Sequence, residues 1–110
     1  MLTRTAARAF STAALKVVND VTRQQFYVSL KGNEAFLNYE KSGKELTLVR
    51  TEVPDAFKGK GVGKLLAKHA FDYASENKLN VICQCHFLAH YYEQNKDNYK
   101  TLQITFDLDD

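Results

Sequence analysis

The sequence predicts an α/β fold of the α+β kind: an antiparallel meander that continues into a β-α-β unit and ends on a C-terminal helix. Three observations carry this. Alternating apolar stretches separated by glycine turns fill the first half of the chain. An amphipathic helical pattern begins at Val62, and a short apolar run, Asn80 to Cys85, follows it. A crossover helix between the third and fourth strands implies that the fourth lies parallel to the third.

Taken in order, Phe26, Val28 and Leu30 alternate with less apolar residues and predict a first strand. Gly32-Asn33 signals a turn, and Ala35 to Tyr39 a second strand. Ser42-Gly43-Lys44 turns into the third, Glu45 to Val53, where Pro54 ends pairing because it has no amide to donate. Val62, Leu65, Leu66, His69, Ala70 and Tyr73 form one helical stripe, with Lys64, Lys68, Asp72 and Glu76 opposite at spacing four. Asn77 and Lys78 end that helix. Asn80 to Cys85 is a fourth strand, and His86 to about Gln94 a short helix. The tail from Asn95 to Asp110 carries only a weak alternation, Ile104 to Leu108.

Composition bounds the function. With 110 residues, 45% of them hydrophobic, the chain has room for one domain with one modest core. No apolar run approaches the ~20 residues that a spanning helix needs. The net charge of +2 is uneven. Arg4, Arg8 and Lys16 precede the first acid, Asp20, and the remaining 12 basic and 13 acidic residues leave −1. A nearly neutral body speaks against a nucleic-acid surface. The segment 1–14 is rich in Ala, Thr and Arg, contains Ser11 and lacks acids. Leu2, Ala6, Ala9 and Ala13 fall on one side of a helix and Arg4 and Arg8 on another. That is the pattern of a mitochondrial presequence, with Arg8-Ala9-Phe10 before Ser11 as a processing site. The expectation is a disordered targeting segment over 1–14, a single domain over 15–110, and a mitochondrial matrix location, with the cytoplasm as the alternative.

The chemistry concentrates in Lys58-Gly59-Lys60-Gly61-Val62-Gly63-Lys64. Glycines let the backbone approach an anion, the helix start leaves amides unpaired and partly positive, and lysines add full charges. This suits a polyphosphate held on the first turn of a helix. The Walker A spacing is not met, and Lys64 stands where the dinucleotide fingerprint needs its third glycine. What remains, Lys58-x-x-Gly61-x-Gly63, resembles the pyrophosphate loop of the GNAT acetyltransferases, with lysine in the first position.

Further blocks sharpen the resemblance: Thr51-Glu-Val-Pro-Asp-Ala-Phe-Lys-Gly-Lys-Gly, then Cys85-His-Phe-Leu-Ala-His-Tyr91, then Tyr99. Together they resemble the small GNAT-like family of the N-acetyltransferase domain-containing protein 1 type and its bacterial relatives, from Phe26 to about Leu102. The resemblance implies a minimal GNAT-like fold with a splayed parallel strand pair, and coenzyme A or acetyl-CoA as cosubstrate. It implies that amides 59 to 64 hold the pyrophosphate and that the pantetheine arm pairs with the strand at Glu52 and Val53. It also implies a functional Cys85, as an acyl-accepting nucleophile or substrate contact, and Tyr91 as the acid protonating the departing CoA thiolate.

The residues themselves add to this. Cys85 sits at a strand end just before a helix, a position that favours thiolate; its plainer reading is a small buried residue. Glu52 is a candidate base through water, or an ordinary solvent-facing carboxylate. Relatives often carry histidine directly before Thr-x-Val-Pro, where this chain has Arg50, and Tyr92 stands in place of an aliphatic residue. Cys83 reads as core, with a spacing from Cys85 that disfavours a disulfide. His69 reads as a core histidine and His90 as surface. Cys83, Cys85, His86 and His90 form a rival zinc set, but they match no common ligand spacing, and no metal is expected. Two function classes stay open: an acetyltransferase acting on an unidentified amine, and a CoA- or acyl-CoA-binding module without catalysis.

Overall fold

The computed structural model describes residues 15–108; the expected targeting segment 1–14 lies outside them. Among the described residues, six strands form one sheet in chain order: β1 (Val18–Asp20), β2 (Gln25–Leu30), β3 (Asn33–Ser42), β4 (Glu45–Glu52), β5 (Asn80–Cys83) and β6 (Gln103–Phe106). Helix α1 (Val62–Glu76) connects β4 to β5, and α2 (His86–Asn95) precedes β6. Strands β1 to β4 pair antiparallel, whereas β4, β5 and β6 pair parallel.

The meander and the β-α-β unit follow the expected pattern, with two additional edge strands. β1 spans three residues and is tied to the sheet by Tyr39, whose hydroxyl donates to Asn19 Oδ1 at 2.6 Å. β6 occupies part of the weakly alternating tail. Neither has enough apolar alternation to show in the sequence, and both owe their form to a neighbouring strand. The β2–β3 hairpin turns on Lys31 and Gly32, one residue earlier than the Gly32-Asn33 signal; both have positive φ, 50° and 82°, as a tight hairpin requires.

The two crossovers run in the same direction across the sheet, so both helices cover one face. Between them Phe71 of α1 is a hub, with ring centroids 5.8 Å from Tyr91, 5.9 Å from Tyr92 and 5.6 Å from Tyr99. The core joins Phe26, Val28, Leu37, Leu46 and Leu48 of the sheet to Leu66, Ala67, Ala70, Phe71 and Ala74 of α1 and Leu88 of α2. Because α1 packs against α2 as well as the sheet, its buried face is turned toward Ala67, Phe71 and Ala74. His69, expected in the core, is consequently exposed.

Helix α1 stops without glycine. Lys78 N–H bonds Ser75 O at 3.3 Å and Leu79 N–H bonds Ala74 O at 2.9 Å, with Lys78 in the left-handed region at φ 52°. This is a Schellman ending, which satisfies the last carbonyls of the helix. No helix among the described residues is long and apolar enough to cross a membrane.

Candidate functional site

A β-bulge shapes the site. Across β3 and β4, Tyr39 pairs with Leu48 and Asn38 with Arg50, leaving Val49 without an opposite residue. Strand side chains alternate between faces, so one extra residue inverts the phase. Leu46 and Leu48 face the helices; after the bulge Thr51 does so too, opposite the buried Leu37. Arg50 and Glu52 turn to the other face. There Arg50 Nη1 meets Glu52 Oε2 at 3.0 Å, and the guanidinium lies 5.7 Å from the Phe36 ring centroid.

The strands part at the same level. β4 and β5 pair from Glu45–Asn80 to Leu48–Cys83, and a last bond runs from Gln84 N–H to Leu48 O at 2.9 Å. Beyond it β4 continues to Glu52 beside β3 alone, while the other chain turns through Cys85 into α2. The expected strand ends, Val53 and Cys85, thus lie just past the paired region. A cleft of about 410 Å³ is lined by Thr51, Val53, Phe57, Lys58, Gly59, Gly61, Val62, Gly63, Lys64 and Phe87.

The glycine loop forms one end of this cleft. A short 3-10 turn, Asp55–Phe57, anchors it through the buried Phe57. Gly59 and Gly61 have φ of 77° and 68°, a backbone that other residues adopt only with strain. Gly61 is the N-cap of α1, no side chain caps the helix, and its first backward bond is Leu65 N–H to Gly61 O at 3.1 Å. Amides 62 to 64 precede that bond and are available to an anion. The expected cradle of amides 59 to 64 has one internal exception: Lys60 N–H is used by Phe57 O at 3.1 Å.

Cys85 is the N-cap of α2, half-buried, and its Sγ lies 3.7 Å from Thr51 Oγ1. Thr51 therefore joins the thiol to the cleft. Cys83 is buried, its thiol donates to Cys85 O at 3.4 Å, and burial pushes its pKa up. His86 and His90 are exposed.

The structure does not bring all the candidate residues together. Val53, Lys58, Gly59, Gly61, Val62, Gly63 and Lys64 share the cleft, and Cys85 adjoins it through Thr51. The Glu52 carboxylate points to the opposite face with Arg50. Tyr91 is absent from the cleft lining; its ring stacks on Phe71. It adjoins a polar cluster in which Tyr99 donates to Asp72 Oδ1 at 2.8 Å and Lys68 donates to Asp72 Oδ2 at 2.7 Å. Burial first, then the bond to Asp72 and the proximity of Tyr91, hold the Tyr99 proton far above the usual tyrosine range. Three contributors escaped the sequence reading. Thr51 was visible only as part of a motif, Phe57 as one apolar residue in a loop, and Phe87 as a residue of a helix with no clear stripe.

Comparison with known proteins agrees with this geometry. A family profile described as GCN5-related N-acetyl-transferase matches residues 25–102. The chain is 40% identical over 87 residues to Protein NATD1 of Xenopus tropicalis, covering 76% of this chain and 80% of that one. It is also 40% identical over 84 residues to Protein NATD1 of Homo sapiens, covering 74% of each. A GCN5-like protein from Staphylococcus aureus, known from its solution structure, superposes with a TM-score of 0.62 at 28% identity, over 87% of this chain and 91% of that one. A splayed strand pair, a glycine loop opening a helix and a cleft between them, matched by profile, relatives and fold, place the chain in the GCN5-related N-acetyltransferase family.

Proposed function

We propose that this chain is an acetyl-CoA-dependent N-acetyltransferase that passes the acetyl group to an amine by way of Cys85. The observation that carries the reading is the single cleft running from the glycine loop to Thr51, with the Cys85 sulfur 3.7 Å from the Thr51 hydroxyl. The donor set fits the cosubstrate. Amides 62 to 64 and the lysines at 58, 60 and 64 suit the pyrophosphate. The backbone of Glu52 and Val53, beyond the last β5 pair, suits an amide-bearing arm, and Val53, Phe57 and Phe87 give it apolar walls.

In this reading Cys85 Sγ forms a bond to the acetyl carbon as the bond from that carbon to the CoA sulfur breaks. The thiol proton ends on the departing CoA sulfur; Tyr91, stacked on Phe71 outside the cleft lining, is assigned to deliver it only by turning from that ring toward the cleft. The acceptor amine then takes the acetyl group, and the proton it releases restores the Cys85 thiol. Cys85→Ser should abolish transfer from acetyl-CoA to a panel of amines while CoA binding persists; full transfer by Cys85→Ser would leave only a direct route. Tyr91→Phe should lower turnover with binding unchanged.

A second reading, a CoA- or acyl-CoA-binding module without turnover, draws on Arg50 and Glu52. Their pairing on the far face leaves the candidate base Glu52 out of the cleft. Binding without transfer to any amine or to water would favour it. For the segment 1–14 we propose a mitochondrial address, on its basic, acid-free composition. A fluorescent fusion of the full chain that stays in the cytosol would contradict it.

A further inference from the structure

The β4 bulge leaves Thr51 as the polar side chain on the helix-facing side of the strand beyond Leu48. The neighbouring charged groups, Arg50 and Glu52, are turned away and held to each other. Thr51 packs in register with Leu37, and valine would fill the same volume there. Packing therefore accounts for the branched shape of the residue but not for its hydroxyl. That hydroxyl lies 3.7 Å from Cys85 Sγ, across the gap where β4 and the β5–α2 turn have separated. Nothing on α2 itself competes, because Cys85 makes no side-chain cap bond to its own helix.

We propose that Thr51 is a positioning residue, holding the Cys85 sulfur toward the inner end of the cleft. The proposal rests on the Cys85 reading for its catalytic meaning and stands on geometry for its structural one. A threonine hydroxyl carries one donor and two acceptor sites and rotates freely. It accepts from the thiol, as it does here, and turns to donate to the same sulfur once the thiol proton has left. Thr51 thus serves both states of the sulfur without moving the backbone. The bulge is the device that brings it there: with unbroken alternation, Arg50 or Glu52 would face the helices and Thr51 would face solvent.

The test uses the full chain with Thr51→Val, Thr51→Ser and Thr51→Ala. Cys85 alkylation by iodoacetamide is followed by peptide mapping, beside melting temperature and the kcat and KM of acetyl transfer. Thr51→Val should melt as the native chain does, yet alkylate at Cys85 about fivefold to tenfold more slowly, the weight of roughly one net hydrogen bond. Thr51→Ser should restore most of the rate, and transfer should fall in kcat with KM for acetyl-CoA little changed. Native alkylation in folded Thr51→Val, or no restoration by serine, would overturn the proposal. If Thr51→Val fails to fold, serine against alanine makes the same comparison: alanine slow and serine fast supports it, and equal rates overturn it. Should Cys85→Ser keep full transfer while Thr51→Val still slows alkylation, the positioning role stands and the acyl-cysteine route falls.

Discussion

Phe87 lies directly on Gly63: a side-chain carbon at position 63 would stand 3.0 Å from Phe87 Cζ and 3.3 Å from Cε2. The three glycines of the loop therefore have different reasons. Gly59 and Gly61 have positive φ and open space around them, whereas Gly63 has no such backbone demand and is small because the ring of α2 sits on α1 there. Replacing a helical glycine by alanine gains up to ~1 kcal/mol when nothing obstructs it. Gly63→Ala should show that gain in a Phe87→Ala background and lose most of it with Phe87 present, a coupling of about 1 kcal/mol in a double-mutant cycle. Denaturant melts of the four proteins measure it; additive effects would mean that the ring yields freely.

The end of α1 offers a stabilising change. Lys78 holds the left-handed position of the Schellman ending at φ 52°, where a side chain costs roughly 1 kcal/mol relative to glycine. Its side chain is exposed, so little packing is lost. Lys78→Gly should raise stability by about 0.5 to 1 kcal/mol, read as a higher denaturant midpoint with an unchanged slope.

The two thiols should differ sharply. Cys83 is buried, donates to a carbonyl, and has its pKa pushed up by burial; Cys85 is half-buried beside the cleft. Limited alkylation at neutral pH should label Cys85 first, and CoA should protect it. Preferential labelling of Cys83, or a Cys85 indifferent to CoA, would separate the thiol from the cleft.

Alkaline stability should follow Tyr99 and Tyr39. Burial raises the pKa of both hydroxyls above the ordinary value of 10.0, and the Asp72 bond adds to the shift at Tyr99. The folded chain then keeps protons that the unfolded chain releases near pH 10. Their stabilisation is complete below about pH 10 and declines as pH rises further. Tyr99→Phe should lower stability by about 1 kcal/mol at neutral pH, through the lost bond to Asp72, and should flatten the decline above pH 10. Thermal melts between pH 7 and 11 measure both.

The parts of this molecule visible in its sequence are those set by local chemistry. Pro54 marks the end of β4, the alternation around Phe26 and Leu37 marks β2 and β3, and Gly61 before an apolar stripe marks the start of α1. What was not visible depends on partners distant in sequence. β1 and β6 exist because β2 and β5 offer free edges, and no local pattern in three or four residues encodes that. His69 shares the spacing of a buried stripe, but α2 and Phe71 rotate that stripe away from it. The bulge at Val49 has the largest consequence for the site. An unbroken count along β4 sets Thr51 opposite in phase to Leu48, and only the pairing with β3 reveals that one residue is skipped. With that residue skipped, the candidate base Glu52 turns away from the helices and Thr51 turns toward them.

Binding of CoA and acetyl-CoA to the full chain, measured by calorimetry beside Gly61→Glu, decides whether the glycine loop holds a pyrophosphate. Position 61 combines φ 68°, the N-cap of α1 and the wall of the cleft, so glutamate adds strain, bulk and a like charge where pyrophosphate would lie. The expected result is binding by the native chain, weakened at least about tenfold, or 1.4 kcal/mol, in a variant whose melting still shows a folded domain. Equal affinity in the two folded proteins, or no binding of either ligand by the native chain, would rule out a pyrophosphate cradle at the start of α1.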